Sequence, residues 1–378
     1  MNIPAPALTL GIEEEYLLVD VQTRDLVQSP PEDFMSACVE TCGEQVANEF
    51  MKSQIEIGTK VCRTIGEARE DLTRLRRAVI EAARGFGLAP IAASTHPFAR
   101  WTQQQHTEKE RYETLAHDLG GAVERLLICG MHVHIGIEDH DLRIDLMNQV
   151  AYFLPHMLAL TTSSPYWQGR DTGLNSYRLT VFDALPRTGL PDIFDSFGEY
   201  RRMIDQLIKV GALEDATKLW WDIRPSDRFP TIEARVMDVC TDVEDTLTVA
   251  ALYQSIMSML FRLRQKNQRW RLYPKSLMKE NRWRAQRYGP RRGLIDFGRA
   301  EMVPVAELME ELISIVSEDA EALGCLGEVK RSREIVNRGT SAEAQREVYQ
   351  SATENGADHK EALREVVDFL IERTASGL

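Results

Sequence analysis

Acidic, histidine and arginine side chains occur at every second position in three short, otherwise apolar segments. The pairs are Glu13 and Glu15 in LGIEEEYLLV, His132 and His134 in CGMHVHIGI, and Glu233 and Arg235 in FPTIEARVMDV. Because successive side chains of a β-strand point to opposite faces, both members of a pair share one face. The spacing therefore predicts strands that pack on a core through one face and carry ionisable groups on the other.

The acidic and the histidine pair each suit metal or phosphate chemistry. Two carboxylates about 7 Å apart on one strand face, as expected for Glu13 and Glu15, suit a hard divalent cation that takes oxygen ligands. The alternative is an edge strand that uses charge to prevent aggregation. His132 and His134 can bind a metal or hold a phosphate, and the alternative for them is a pair of packed core histidines.

The third pair, Glu233 and Arg235, predicts either a structural ion pair or a metal-ligating carboxylate beside a clamp for phosphate or carboxylate. The same alternation recurs in three further segments: Gln54 and Glu56 in KSQIEIGT, Ser176 and Arg178 in NSYRLTVF, and Asp222 and Arg224 in WWDIRPS. Six such strands predict a sheet whose apolar face packs on helices and whose polar face lines a catalytic basin.

Hydrophobic periodicity predicts the elements that position these residues. Alternation with period two predicts strands at residues 10–19, 54–58, 127–137, 176–182, 219–224 and 231–237. Spacing of three to four predicts helices at 65–84, 106–119, 142–161, 194–210, 243–266, 304–323, 341–352 and 359–374. The fold class is therefore α+β, with an antiparallel or mixed sheet backed by helices (about 8–238) and a mainly helical C-terminal part (about 239–378).

Composition excludes several classes of function. The 378 residues include 45 Lys+Arg and 58 Asp+Glu, which gives a formal net charge of −13. Such a chain lacks the general basic surface that nucleic acid or an anionic membrane requires. The first residues lack the basic region of a signal peptide, no run reaches the roughly 18 apolar residues of a membrane span, and the six cysteines are scattered. We expect a cytoplasmic enzyme with neither a nucleic-acid nor a membrane partner.

Sequence motifs for the common nucleotide-binding loops and covalent nucleophiles are missing. The chain has no G-x-x-x-x-G-K-[ST] loop, no complete G-x-G-x-x-G and no G-x-S-x-G. If the protein uses ATP, we therefore expect metal ions and arginines on the sheet to bind it.

Seven segments together resemble the bacterial carboxylate–amine ligases of the glutamate–cysteine ligase type 2 family. They are GIEEEYLLVD, SQIEIGT, STHPFARW, GMHVHIGI, SSPYWQGRDTGLNSYR, WWDIRPSDRFPTIEARVMD and ENRWRAQRYG, in this order up to about residue 290. The resemblance implies a fold akin to the catalytic domain of glutamine synthetase and the guanidino kinases. In that fold an antiparallel sheet forms a funnel-shaped site, and the whole chain (1–378) is then a single catalytic domain.

The resemblance also implies roles for individual residues. Glu13, Glu15, Glu56 and Glu233 resemble metal ligands, with His132 as a further ligand near the nucleotide phosphates. Arg235, Arg224 and His132 are the implied catalytic groups, and Arg178, His134, Arg224 and Arg235 the implied contacts to nucleotide and substrate. Glu49 lies seven residues before Glu56, an odd spacing that predicts the opposite strand face unless a bulge intervenes, so it is only a marginal candidate.

The activity that the resemblance implies agrees with these residue types. ATP would phosphorylate a carboxylate, such as the γ-carboxyl of L-glutamate, and an amine such as L-cysteine would attack the acyl phosphate with release of ADP and phosphate. Phosphoryl transfer of this kind needs positioning and charge neutralisation, which Mg²⁺ or Mn²⁺ and arginines provide without a covalent nucleophile. The resemblance further implies a homo-oligomer such as a dimer.

Two other functions stay open from the sequence. A metal-dependent hydrolase could use the H-x-H strand, although only His96 among the remaining histidines is a candidate for its site. A non-catalytic relative could bind nucleotide or a partner through the C-terminal helices. Aromatic residues that either line the amine pocket or pack in the core are Trp101, Tyr166, Trp167, Trp220 and Trp221.

Overall fold

The computed structural model describes residues 4–109, 113, 117 and 119–378. Its strands are β1 (Leu10–Asp20), β2 (Val46–Asn48), β3 (Gln54–Gly58), β4 (Leu88–Ile91), β5 (Met131–Gly136), β6 (Tyr166–Trp167), β7 (Arg170–Asp171), β8 (Thr188–Gly189), β9 (Trp220–Trp221), β10 (Ile223–Pro225), β11 (Thr231–Ala234), β12 (Gly293–Asp296) and β13 (Glu301–Pro304). Its α-helices are α1 (Glu32–Cys42), α2 (Ile65–Gly85), α3 (His140–Val150), α4 (Leu154–Thr161), α5 (Arg178–Phe182), α6 (Phe197–Lys209), α7 (Val243–Gln265), α8 (Lys275–Tyr288), α9 (Val305–Ala322), α10 (Leu326–Arg338), α11 (Ser341–Glu354) and α12 (His359–Ala375).

A seven-stranded sheet forms the centre of the fold. Its strands follow the order β10-β11-β5-β1-β3-β2, with β4 paired to β1, and every pairing is antiparallel. The length of β1 explains the branching, because its first half pairs with β5 and its second half with β4. The predicted α+β class with an antiparallel sheet is confirmed.

Helices α2 and α7 cover the apolar face of the sheet. Both contact β1, in which buried residues alternate with partly exposed ones from Leu10 to Tyr16. Thr64 caps the start of α2 by accepting a hydrogen bond from the backbone N–H of Glu67, and Asp242 caps α7 in the same way. The other face of the sheet is thereby left open for the polar side chains.

Helix α7 is, among the described residues, the one helix long and apolar enough to cross a membrane by composition. However, 83% of its most apolar window is buried inside the protein. This burial is typical of a core helix, since α7 packs between the sheet and helices α9 and α10.

The structure corrects several predicted elements. Residues 176–182 form no strand: α5 begins at Arg178, and periodicity alone cannot distinguish a strand from a helix in so short a run. The strand predicted at 219–224 is two short strands interrupted at Asp222. Half of the residues of the helix predicted at 106–119 lie outside the described residues, and α8, α10 and the β12–β13 hairpin were not predicted.

Candidate active site

Cross-strand register brings the predicted polar residues together on one face of the sheet. Directly opposite residues are Glu13 and His132, Glu15 and Glu56, His134 and Glu233, and Arg224 and Glu233. Such partners have Cβ atoms about 5 Å apart, so the backbone alone holds each pair near contact distance. Every site residue predicted from the sequence, these together with Arg178 and Arg235, lines one cavity of about 380 Å³.

Glu13 lies between the two histidines. Its Oε2 accepts a hydrogen bond from Nδ1 of His132 at 3.0 Å, and its Oε1 is 3.4 Å from Nε2 of His134. Burial acts to raise the pKa of Glu13, but the histidine contacts outweigh burial and hold the pKa well below its usual range. Burial and the charge of Arg235 lower the pKa of His132 to about 4. Its ring is therefore neutral at pH 7, and Nε2 carries a lone pair.

Two groups of potential metal ligands are present among the described residues. Glu13, His134 and Glu233 form one group, and Glu15, Glu49 and Glu56 form the other; within each group the ligand atoms lie within 4.8 Å of one another. Burial, together with the charge of Glu49, raises the pKa of Glu15 to about 8 and that of Glu56 well above its usual value. The second group therefore lacks positive charge, which a divalent cation can supply.

Glu49 belongs to the second group although the odd spacing from Glu56 predicted the opposite face. The two residues are not on one strand, because β2 ends at Asn48 and β3 begins at Gln54. Ala47 of β2 is opposite Glu56, and Glu49 follows two residues later on the same side. The prediction from the odd spacing was wrong because the chain reverses direction between the two glutamates.

Two arginines bind the carboxylate of Glu233. Nε of Arg224 is 2.9 Å from Oε2 and its Nη2 is 3.3 Å from Oε1, while Nη1 of Arg235 also binds Oε1. Although burial acts to raise the pKa of Glu233, the charges of Arg235 and Arg224 lower it far below its usual value. Glu233 is thus a fixed carboxylate anion, as a metal ligand requires.

Arg178 is a buried cation with a different environment. Its side chain donates to the backbone carbonyls of Arg235 at 3.2 Å and Val236 at 3.4 Å, and it forms no ion pair within the part of the chain that the structure describes. Burial lowers its pKa. Gly130 makes the space for it, since a Cβ there would lie 2.4 Å from Nη2 of Arg178.

A buried hydrogen-bond network positions Arg178. Its backbone N–H donates to Oγ of Ser164 at 3.1 Å, and Ser164 and Ser176 each donate to Asp238 at 2.7 Å. Ser176, which was predicted to share a strand face with Arg178, therefore does not line the cavity. It contributes to the site through its hydrogen bond to Asp238.

Four buried nitrogens at this cavity make no hydrogen bond of good geometry among the described residues, although one of them, Nε2 of His134, lies 3.4 Å from Oε1 of Glu13. They are Nε2 of His132 and His134 and Nε of Arg178 and Arg235. Buried polar groups are normally paired, and leaving one unpaired costs about 1–3 kcal/mol. Imidazole nitrogens among carboxylates fit a divalent cation, and guanidinium N–H groups fit phosphate or carboxylate oxygens. The site is therefore built for anionic ligands accompanied by cations.

Two other residues considered from the sequence lie elsewhere. Asp222 is buried and binds Arg282, which also binds Asp183, so this acid belongs to a structural ion-pair network. His96 is buried, and its Nε2 bonds the backbone carbonyl of Arg24 at 2.9 Å while Nδ1 accepts from two backbone N–H groups. His96 is therefore structural and does not line the cavity.

Of the aromatic residues considered for an amine pocket, Trp220 lines the cavity, whereas Trp101, Tyr166, Trp167 and Trp221 do not. Further lining residues that the sequence did not reveal are Phe50, Lys109, Lys218, Arg228 and Phe229. They lie outside the regular strands, where no alternation indicates which way a side chain points.

Comparison with known proteins assigns the family. The profile of glutamate–cysteine ligase family 2 matches residues 9–368. A protein of Rhodospirillum rubrum, provisionally named glutamate–cysteine ligase 2, is 58% identical over 377 residues, which cover 99% of this chain and 97% of the relative. A protein of the same provisional name from Jannaschia is 56% identical over 364 residues, covering 96% of each chain.

The fold comparison agrees. The crystal structure of glutamate–cysteine ligase from Francisella tularensis in complex with AMP superposes with a TM-score of 0.70 at 13% identity, over 100% of this chain and 90% of that one. The chain therefore belongs to glutamate–cysteine ligase family 2 and is an ATP-dependent carboxylate–amine ligase.

Proposed function

We propose that this chain activates the γ-carboxyl of L-glutamate with ATP as an acyl phosphate and joins it to L-cysteine or another amino compound. ADP and phosphate leave. The observation that carries the proposal is the group of unpartnered imidazole and guanidinium nitrogens beside two carboxylate clusters on one sheet face. The AMP complex of the Francisella relative supports the nucleotide.

The donor set fits Mg²⁺ or Mn²⁺. Glu13, His134 and Glu233 would hold one ion and Glu15, Glu49 and Glu56 another, with Nε2 of His132 as an additional donor. Bound there, the ions would neutralise phosphate charge during phosphoryl transfer. The carboxylate clusters would thereby lose the mutual repulsion that raises the pKa of Glu15 and Glu56.

The arginines supply the remaining charge. Arg178, Arg224 and Arg235 line the cavity, and the unpartnered Nε–H groups of Arg178 and Arg235 would bind phosphate and substrate carboxylate oxygens. The same groups stabilise the oxyanion that forms when the amine attacks the acyl phosphate. No covalent protein nucleophile takes part in these steps.

The direct test is a screen of amino-acid pairs for ADP release with Mg²⁺, followed by mass detection of the product. We expect ADP release to require both an acid and an amine, with L-glutamate as the preferred acid. Glu233→Gln should lose this activity, and Glu40→Gln, a change of an exposed glutamate outside the cavity, is the matched control. Turnover with no preference for L-glutamate would overturn the proposed acid.

The same assay tests the two other functions. Amide hydrolysis without nucleotide would support a metal-dependent hydrolase using His132 and His134. A biological activity that survives Glu13→Ala and Glu233→Ala would support a non-catalytic relative. Glu233→Ala leaves Arg224 and Arg235 without their counter-charge, so urea unfolding must show that this variant is folded before its loss of ADP release reports on the site.

We further propose that residues 1–378 form one catalytic domain that works in the cytoplasm as a homo-oligomer such as a dimer. In support of one domain, buried residues from the sheet and from the C-terminal helices belong to a single hydrophobic core. A single cooperative unfolding transition and light scattering of the purified protein test the domain count and the oligomeric state.

A further inference from the structure

A second cavity, of about 440 Å³, adjoins the reaction cavity. The two share residues 226–229, the turn between β10 and β11, which forms a wall of both. The other walls of the second cavity come from the first turns of α3 and α6. Nothing in the proposed ligase reaction requires this second space.

Two polar side chains buried at the second cavity have unused hydrogen-bonding groups. Arg143 is 4% exposed; its Nε donates to the carbonyl of Ile137 at 2.9 Å and its Nη2 to that of Glu138 at 3.3 Å. Within the described ranges its Nη1 makes no hydrogen bond and the side chain forms no ion pair. Tyr200 is 3% exposed, and its hydroxyl makes no hydrogen bond in the same part of the chain. Nη1 of Arg143 and the hydroxyl of Tyr200, both on residues that line the cavity, can therefore bind an anionic ligand group.

The rest of the lining carries both signs of charge. Arg201 and Arg228 add positive charge, while Glu138 and Asp227 add negative charge. A phosphate dianion would meet repulsion from these carboxylates. A zwitterion, with a carboxylate at one end and an ammonium at the other, can pair with both signs.

Aromatic rings supply the apolar part of the lining. Phe197 stacks on His140 with ring centroids 4.2 Å apart. Phe229 is 54% exposed and meets the ring of His134 edge-on at 6.2 Å. Phe229 therefore contacts the reaction cavity on one side and the second cavity on the other.

We propose that the second cavity binds a free α-amino acid with an apolar or aromatic side chain, whose carboxylate pairs with Arg143 and Tyr200. The ammonium faces Asp227 or Glu138, and the side chain packs on Phe197 and Phe229. Because the shared turn lines both cavities, binding changes turnover in the reaction cavity. As an effector site the second cavity goes beyond the proposed function, whereas as the site of the amine substrate it rests on that function and names its amine.

Isothermal titration calorimetry of the full chain without nucleotide tests the site. The probes are L-phenylalanine, 2-phenylethylamine, which lacks the carboxylate, and 3-phenylpropanoate, which lacks the ammonium. We expect L-phenylalanine to bind at least tenfold more tightly than either analogue. Absence of L-phenylalanine binding, or equal binding of all three probes, would overturn the proposal.

Variants locate the binding. Tyr200→Phe, which removes the hydroxyl that pairs with the carboxylate, should weaken L-phenylalanine binding at least fivefold, and this change spares the backbone contacts of Arg143 that the fold needs. Arg202→Met, the exposed neighbour on α6 that lines neither cavity, should bind as the wild type does. Glu13→Gln should also bind normally, and a loss there would place the ligand in the reaction cavity and overturn the assignment.

Turnover assays distinguish the two sources of such an amino acid. If it is the amine substrate, mass detection finds L-phenylalanine in the product and Tyr200→Phe raises its KM. If it is an effector, L-phenylalanine changes the rate of the preferred pair without entering the product, and Tyr200→Phe shifts the change to at least fivefold higher L-phenylalanine concentration. Binding with no effect on either readout would overturn the coupling through the shared turn.

Discussion

Adjacent glutamates of β1 occupy contrasting environments on the two faces of one sheet. Glu14 faces the helices, where Arg76 binds both of its oxygens at 2.7 and 2.6 Å and Thr246 and Tyr16 donate to it as well. Glu13 and Glu15 face the cavity, beside nitrogens that have no partners. Burial and charge are therefore common to both faces, and incomplete hydrogen bonding is what distinguishes the candidate active site from the structural network.

The helix-side network joins three parts of the chain. Arg76 of α2 binds Glu14 of β1 and also donates to the carbonyls of Thr241 at 2.9 Å and Cys240 at 2.8 Å, just before α7. Within the described residues each charge has its counter-charge, and burial together with Glu14 raises the pKa of Tyr16 well above its usual value. This network stabilises the fold and offers a ligand no free group.

The largest expected effect is on the cavity side. Glu13→Gln should reduce ADP formation by about 1,000-fold, because a lost metal ligand removes several kcal/mol of charge stabilisation. The free energy of unfolding should change by only about 1 kcal/mol, since the change leaves the apolar face intact. Steady-state assays and urea unfolding measure the two effects.

The exposed change Glu40→Gln is the control for both measurements. A Glu13→Gln variant that retains activity, or that unfolds before it can be assayed, would remove the distinction between the two faces of β1.

Substitution of Glu14, on the face of the sheet that packs against the helices, should change the free energy of unfolding. Glu14→Gln should lower the free energy of unfolding by about 3–5 kcal/mol, because it leaves the Arg76 guanidinium buried without a counter-charge. Replacing both residues together, Glu14→Leu with Arg76→Leu, should recover much of this loss, since no lone charge then stays buried. Urea unfolding of the single and double variants measures the coupling, and a single variant as stable as the wild type would contradict the network.

Two buried histidines likewise differ in whether their hydrogen bonding is complete. His96 and His132 are both buried with a pKa lowered to about 4, His96 by burial and His132 by burial and the charge of Arg235. Both ring nitrogens of His96 are satisfied by the backbone, whereas Nε2 of His132 is not. His96 thus serves the fold, and its titration should appear as acid destabilisation.

The lowered pKa of His96 determines whether stability rises or falls with pH. Between the usual value of 6.5 and about 4 the unfolded chain binds more protons at His96 than the folded one. Stability from this group is therefore present above pH 6.5 and is lost as pH falls to about 4, by on the order of 3 kcal/mol. His96→Asn, which keeps an acceptor for the backbone N–H groups, should flatten unfolding free energy against pH in this window. A slope equal to that of the wild type would show that His96 does not carry the effect.

Alternation along strands predicted which residues share the cavity face, because the direction of side chains along a strand is a backbone property. The observed strand order and register then place His132 opposite Glu13 and His134 opposite Glu233. The same pattern failed at Arg178, which reaches the cavity from the helix α5 through space left by Gly130. The periodicity of a short segment contains no information about such a contact between segments that are distant in the sequence.

Whether Glu49 and Asp222 belong to the site is determined by a chain reversal and by a buried ion pair. Glu49 joins Glu15 and Glu56 because β2 turns back on β3, and Asp222 leaves the site because Arg282 of α8 binds it. Each outcome depends on a contact between segments distant in sequence or across a turn. The alternation of side chains along the strands therefore identified the polar face of the sheet correctly. It could not identify every residue that lines the cavity on that face.

The smallest expected effect concerns the second carboxylate cluster and its dependence on cations. In the Glu13→Gln background, which lacks a ligand of the other group, Mg²⁺ at about 100 times its Kd for the remaining site should raise the free energy of unfolding by about 2.7 kcal/mol, provided that the ion binds only the folded chain. Adding Glu56→Gln to this background should remove most of the increase. Without divalent ions Glu56→Gln alone should be more stable than the wild type, because a neutral amide removes a carboxylate whose pKa burial and Glu49 raise. Urea unfolding with Mg²⁺ and with a chelator measures both effects, with Glu40→Gln as control. An Mg²⁺ response that survives in the double variant Glu13→Gln with Glu56→Gln would mean that the cluster of Glu15, Glu49 and Glu56 is, like Glu14 and Arg76, part of the scaffold.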